Sequence, residues 1–328
     1  MTSPRAAGDL PVHPHGRKAT WFELFFDLVF VVAVAQLSAA YAHHYDGPGA
    51  LLFAASFLAM WWCWLGHTFH GTRFDQDLPR QRLLGFVQIA AVALMGYGAS
   101  APLTERAWAF GGGLALFKAF LVWAYWSERH WRGAVGLIRV YAVLYAVQAL
   151  LWLVGVAVPG PVRWGAWGIA LALDAVSPWL VARYTAAVPP HPEHLPERFG
   201  LFTIILLGEG MASVVHALDH GERLHTTAVV SAVTGGLLTF VLWSLYFNRV
   251  KAHRERHVAS ADAGRRMRQW AYAHVPLYMG IASLAAGTVA LAVPGALDFS
   301  SGAIYLVGLA LALLGLALLG RADATPSI

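Results

Sequence analysis

The residues best placed to do chemistry are ionisable side chains inside long apolar runs. Glu23 and Asp27 open the first such run, and their i, i+4 spacing puts both carboxylates on one face of a helix. At about 1.5 Å rise per residue, Asp27 lies about two turns in from the helix start. Two like charges on an apolar face call for a cation between them. Arg73, at the same depth at the end of the second run, is the natural partner. The trio reads equally as a salt bridge fixing two helices and as a gate, and a helix N-terminus favours the two acids in either case.

Glu209, within Leu207-Gly208-Glu209-Gly210, falls about 15 Å from either end of its run, where no side chain reaches water. Its flanking glycines would let another helix approach closely. It is the sharpest functional signal in the chain, against a packing hydrogen bond as the plainer reading. Asp174 and Lys118 lie at similar depth and are expected to pair with each other or with Glu209. His67 and His70, at i, i+3, would reach a metal together with Asp27 or Glu23 if the runs met there, or else serve as polar groups at a helix end. His274, two residues before Pro276, is a candidate proton carrier by its near-neutral titration, or a helix-end cap. Trp21, Trp61, Trp62, Trp64, Trp131 and Trp243 read as an interfacial belt, and Cys63 as packing. No P-loop, GxSxG, HExxH or GxGxxG pattern occurs in a supporting context, and no cofactor is expected.

These residues matter because of the elements that carry them. Ten windows are long and apolar enough to span a bilayer: 22–42, 50–71, 83–102, 107–126, 134–157, 164–182, 199–217, 226–247, 270–292 and 302–320. An ionisable side chain in such a segment costs roughly 2.5–3.5 kcal/mol at the centre, so those that persist face the interior, pair or do chemistry. The predicted fold is an all-α polytopic bundle of about ten spanning helices (residues 21–321), with terminal tails at 1–20 and 322–328. The first 19 residues show no cleavable signal peptide. Basic residues alternate between the gaps: Arg73, Arg80 and Arg82 after the second segment, Arg129 and Arg132 after the fourth, Arg183 and Arg198 after the sixth. By the positive-inside rule this places both termini in the cytoplasm. The basic connection at 248–269 is a topology signal or a contact for anionic lipid.

Composition agrees. Of 328 residues, 58% are hydrophobic and 12% charged, too few charges for a water-facing surface. The net charge of +5 sits in short loops, with no basic stripe to suggest nucleic acid. The openings of the first segment (Trp21-Phe22-Glu23-Leu24-Phe25) and the seventh (Arg198-Phe199-Gly200-Leu201-Phe202) suggest a parallel repeat offset by six helices, its second copy incomplete, with chance similarity as the competing account.

The run from Thr20 to Ala33, with Trp21-Phe22-Glu23-Leu24-Phe25-Phe26-Asp27 at its head, resembles the opening signature of the bacterial low temperature requirement A (LtrA) proteins. Arg73-Phe74-Asp75, the stretch Glu197 to Glu209, and Tyr272-Ala273-His274-Val275-Pro276-Leu277 resemble the family's further blocks. The resemblance implies a bacterial inner-membrane protein and no particular activity. His67 and His70 stand where the family usually has aromatic residues. Phe26-Asp27-x-x-Phe30 is also similar, over a short stretch, to the FSD segment of a family of cation channels built from six-helix repeats. Proton- or cation-linked transport is the leading expectation. An intramembrane enzyme would use a buried acid on a lipid or isoprenoid, and a non-catalytic membrane factor would use the acids only to hold helices. Expected partners are membrane lipids, a small cation, proton or lipophilic substrate, and a second copy through glycine-rich segments such as 302–320.

Overall fold

The protein is described here from a computed structural model, covering residues 18–44, 46–74, 79–185, 188–218, 225–250, 261–292 and 299–324. Residues 1–17 of the N-terminal tail, the end of the C-terminal tail and the centre of the basic connection (251–260) lie outside the described residues. The helices are α1 (Trp21–His43), α2 (Gly47–Arg73), α3 (Pro79–Ala99), α4 (Ala107–Ser127), α5 (Val135–Ala157), α6 (Pro161–Leu180), the single turn α7 (Ala182–Thr185), α8 (His194–Leu218), α9 (Thr226–Val250), α10 (Ala261–Ala292) and α11 (Phe299–Ala324). Among the described residues there is no strand.

Each of the ten apolar windows coincides with one of the ten long helices. Eight of those helices are long and apolar enough to cross a membrane by length and composition. The others are α3, whose apolar stretch among the described residues is Gly85–Ala99, and α6, diluted by Arg163, Asp174 and Pro178. The chain is an all-α, multi-pass membrane protein. Its outer face is apolar, with Leu150 and Val143 on α5 and Val233 and Phe240 on α9 exposed, as suits lipid. Arg265, Arg266 and Arg268, expected in the basic connection, fall on the first turns of α10.

Local chemistry fixes the helix ends. Thr20 and Glu23 form a capping box: Glu23 N donates to Thr20 Oγ1 at 3.2 Å, and Thr20 N donates to Glu23 Oε2 at 2.8 Å. Gly160, at φ 78°, turns the chain into Pro161 at the start of α6. Near its other end, Pro178 cannot donate to the Asp174 carbonyl, and Ser177 Oγ donates to that oxygen instead at 2.8 Å. The helix then stops at Leu180.

The packing order repeats. In the first half α1 packs on α2 and α3, α3 on α4, and α2 on α4; in the second, α8 packs on α9 and α10, α10 on α11, and α9 on α11. At the ends of the second helices, Arg73 Nη1 donates to Tyr125 Oη on α4 (3.5 Å), and Arg249 Nη1 to the Leu316 carbonyl on α11 (2.5 Å). Glycine brings the third and fourth helices close in both halves. A Cβ on Gly113 would sit 2.8 Å from Ala91 O, and one on Gly315 would sit 2.5 Å from Leu277 N. These parallels favour the repeat over chance.

The tryptophans depart from the expected belt. Trp21 and Trp243 are exposed, but Trp61, Trp62, Trp64 and Trp131 are buried. The end of α2 is a core element, enclosed by α1, α4, α8 and α10, so its aromatic rings fill protein rather than the interface. Cys63 is buried among them, as its neighbours suggested.

Candidate functional site

α1 and α8 pack together, and their first turns supply one charge cluster. Arg198 grips Asp27 with a fork, Nη2 2.6 Å from Oδ1 and Nε 3.2 Å from Oδ2. Its Nη1 lies 2.8 Å from Glu23 Oε1, a charge contact without hydrogen-bond angles. Trp64 Nε1 donates to Asp27 Oδ1 at 2.8 Å, and His194 Nε2 lies 3.2 Å from Glu23 Oε2. Asp27, Arg198 and His194 are fully buried, and Glu23 is 1% exposed.

Two expectations are corrected here. The cation between the acids is Arg198, not Arg73. And Arg198, placed among the loop charges by the alternation of basic residues, is an interior residue. The cause is the start of α8 at His194 rather than near 199, which carries Arg198 one turn into the bundle, level with Glu23.

Arg73 belongs to a different place. Its Nε donates to the Val188 carbonyl at 3.1 Å, and its guanidinium lies over the rings of Phe69 (5.1 Å) and Tyr141 (5.8 Å). It lines a narrow cleft with about 40 Å³ of open space between α2, α5, α6 and α10, shared with Tyr145, Asp174, Arg268 and Tyr272. Asp174 Oδ1 bonds Lys118 Nζ at 2.6 Å, and Lys118 is buried behind it with its Nζ 5.2 Å from the Tyr145 ring centre. Of the pairings open to Asp174, the structure has the one with Lys118. Gly66 makes room for the cleft wall: a Cβ there would sit 2.7 Å from Tyr145 Oη. α6 breaks beside the cleft, where Pro178 and Val181 are both lining residues. Irregular backbone in a membrane helix is tolerated where it faces a cavity.

The remaining candidates stand apart. Glu209 is half-buried on α8, and among the described residues no hydrogen bond or ion pair meets it. Only Gly210 serves a close approach, with its would-be Cβ 3.1 Å from Thr239 on α9; no atom lies within 4 Å of one on Gly208. His274 is enclosed by Phe199, Trp270, Tyr246 and Tyr278. Its Nδ1 lies 2.9 Å from the Trp270 carbonyl and its Nε2 3.1 Å from Tyr246 Oη. Because a carbonyl only accepts, the neutral ring carries its hydrogen on Nδ1. Neither residue lines the cleft.

The metal reading of His67 and His70 is not matched by the geometry. Among the described residues no group of three or more His, Cys, Asp or Glu could hold a metal ion. His67 Nδ1 pairs with Gln88 Nε2 at 2.9 Å and its ring packs on Phe26, while His70 packs against Tyr125. Neither ring is hydrogen-bonded to the carboxylates of α1 that the metal reading needed, since Asp27 and Glu23 are taken up by Arg198.

The sequence profile of the bacterial low temperature requirement A protein (LtrA) matches residues 18–327. The chain belongs to the LtrA family. It is also similar to a curated protein of Rhizobium meliloti (strain 1021), named uncharacterized protein RA0937. The two are 27% identical over 290 residues, which cover 82% of this chain and 68% of the relative. No solved structure is a significant match.

In this LtrA chain the blocks carrying the family resemblance converge in space. Glu23 and Asp27 of the first meet Arg198 of the third, while Arg73 of the second and Tyr272 of the fourth line one cleft. Composition and spacing alone missed His194, Tyr141, Tyr145 and Arg268. For Arg198 a signal existed: the repeat alignment sets it against the start of α1, at the depth of the acids.

Proposed function

We propose that this LtrA protein carries a small solute across the bacterial inner membrane in step with a proton, with both termini in the cytoplasm. The orientation is supported by the alternation of basic residues. The coupling element is the Lys118–Asp174 pair, and the cleft is the solute site. One observation carries the reading: Asp174 forms part of the cleft wall while its ion-pair partner lies wholly buried behind it. A proton arriving from the cleft neutralises the carboxylate and releases Lys118 as an uncompensated buried charge, a state held only if the cleft gains a negative charge. Solute and proton are thereby linked.

Glu23, Asp27 and Arg198 act in this scheme as the fastening between the two halves. Their mutual pairing, closed off by Trp64 and His194, supports a holding role over a conducting one.

The test is proton entry into pyranine-loaded proteoliposomes under an imposed pH gradient, with potassium and valinomycin clamping the potential. Native protein should raise the rate above protein-free vesicles, and Asp174→Asn should lose most of that increment. Equal rates for the two would remove Asp174 from any coupling role. A native rate no higher than empty vesicles, with lipid products formed instead, would favour the intramembrane enzyme.

A further inference from the structure

Buried polar atoms gather beside the cleft without the bonds they need. Asp174 gives Oδ1 to Lys118, but its Oδ2 meets no hydrogen-bond donor among the described residues. Gln148 of α5 faces the same carboxylate. Neither its Nε2 nor its Oε1 reaches hydrogen-bond geometry with any described group. Asp174 is 2% exposed and Gln148 is fully buried. Both sit well inside the bundle, on helices described along their whole length, as is Lys118. Polar atoms left unmatched in a protein interior are costly, so these three call for a bridging molecule.

The cleft sets the size and charge of that molecule. Its open space of about 40 Å³ has room for roughly two or three waters. Cavities that stay dry are apolar, whereas this one has Asp174, Ser177, Tyr141, Tyr145 and Tyr272 in its wall. Lys118 behind the carboxylate, with Arg73 and Arg268 in the wall, disfavours a metal cation. The lining residues that keep some exposure are Phe69, Pro178, Arg268 and Tyr272, so the mouth lies at the edge between α6 and α10. Asp174 stands six residues before the end of α6 at Leu180, about 9 Å along the axis. Two or three waters in file, at about 2.8 Å per hydrogen bond, cover most of that depth.

We propose that the cleft holds a file of ordered waters that delivers protons to Asp174, the innermost one bound between Asp174 Oδ2 and the Gln148 amide. The delivery role rests on the transport reading above, while the binding of the waters does not require it. In the transfer, each water accepts a proton on its oxygen as one of its own O–H bonds breaks toward the next. The last of these bonds breaks as Asp174 Oδ2–H forms. The file is left as neutral water, turned about, and the carboxyl is neutral beside Lys118, whose ammonium keeps its protons.

The experiment is millisecond X-ray radiolysis of the full chain in phosphatidylcholine nanodiscs, with oxygen incorporation into each tyrosine read by mass spectrometry. Radiolysis turns a bound water into a hydroxyl radical, which marks the ring beside it. Tyr145 lines the cleft, and Tyr278 is also buried but lies outside it. Tyr145 should be labelled at least tenfold faster than Tyr278. Ala271 is buried in the cleft wall, so Ala271→Leu fills the space. That variant should slow Tyr145 labelling at least fivefold and reduce proton flux in vesicles by a similar factor. Equal labelling of the two tyrosines, or a folded Ala271→Leu that leaves Tyr145 labelling or flux unmoved, would overturn the proposal. If Ala271→Leu does not fold, the two tyrosines of the native protein decide alone. Fast labelling of Tyr145 where Asp174→Asn leaves proton flux unchanged would sink the coupling and leave the waters standing. Slow labelling alongside flux that depends on Asp174 would sink the waters and spare the coupling.

Discussion

Asp27 and Arg198 lie 171 residues apart in sequence and are joined by two hydrogen bonds in the interior of the bundle, with Arg198 Nη2 2.6 Å from Asp27 Oδ1. They come from the first helix of each half, so the bond ties one half to the other. Trp64 of α2 donates to the same carboxylate, which brings a third helix into the joint.

Removing one side of this joint strands buried charge. Arg198→Gln should destabilise the protein by about 3–5 kcal/mol, the usual cost of breaking a buried pair from one side. Thermal unfolding in a mild detergent measures it. The double variant Arg198→Gln with Asp27→Asn should recover part of the loss, and a purely additive result would show the pair to be uncoupled.

The same logic applies to the cleft with a different outcome for function. Lys118→Met alone should cost about 3–5 kcal/mol, while Lys118→Met with Asp174→Leu should come close to native stability. Both variants should lose proton flux in vesicles. Flux surviving in the well-folded double variant would detach transport from this ion pair.

Glu209 and Asp174 are both acids deep in the sequence pattern, but only Asp174 lines the cleft. Glu209→Gln should keep at least half of the native proton flux, and Asp174→Asn should keep little. The reverse order would move the pathway from the cleft to α8.

Glycine contacts predict a graded series. Gly315→Ala drives a Cβ to 2.5 Å from the Leu277 backbone nitrogen on α10, where no side chain can turn aside. A loss of about 1–3 kcal/mol is expected from such overpacking. Gly208→Ala meets nothing within 4 Å and should fall within about 0.5 kcal/mol of native. Melting curves of the two variants side by side check the ordering.

Topology can be read with cysteine labelling, because the lone native thiol of Cys63 is buried and serves as a silent background. Ser3→Cys and Ser327→Cys should react with an impermeant maleimide from the same side of sealed vesicles. Labelling from opposite sides would leave an odd number of crossings and undo the orientation proposed above.

The helices were legible because each is a run of apolar residues closed by charge, glycine or proline, and such runs are local. The pairing of charges was less so, since it depends on which helices touch. Arg73 matched the depth of Glu23 and Asp27 along the chain, yet α2 turns it toward α5 and the cleft. Arg198 had the right depth too, but a basic residue at a helix start looks the same whether it faces the cytoplasm or an acid. The Lys118–Asp174 pair was only half legible, because Glu209 lies at the same depth and was an equal candidate for pairing. The cleft was not legible, because Tyr141 and Tyr145 of α5 and Tyr272 of α10 come to one lining only through the tertiary fold. Glu209 drew attention through its glycines, one of which faces no other helix.

The joint between α1 and α8 also bears on how the protein is made. At ribosomal rates of about 5–20 residues per second, roughly ten to thirty seconds separate the synthesis of Asp27 from that of Arg198. For that interval the first helix carries two carboxylates with no guanidinium to receive them. The nascent chain must therefore linger near polar surroundings, at the translocon or the headgroup layer, until the seventh long helix arrives. Chains cut short before residue 194 would never complete the joint, and membrane proteases should clear them quickly.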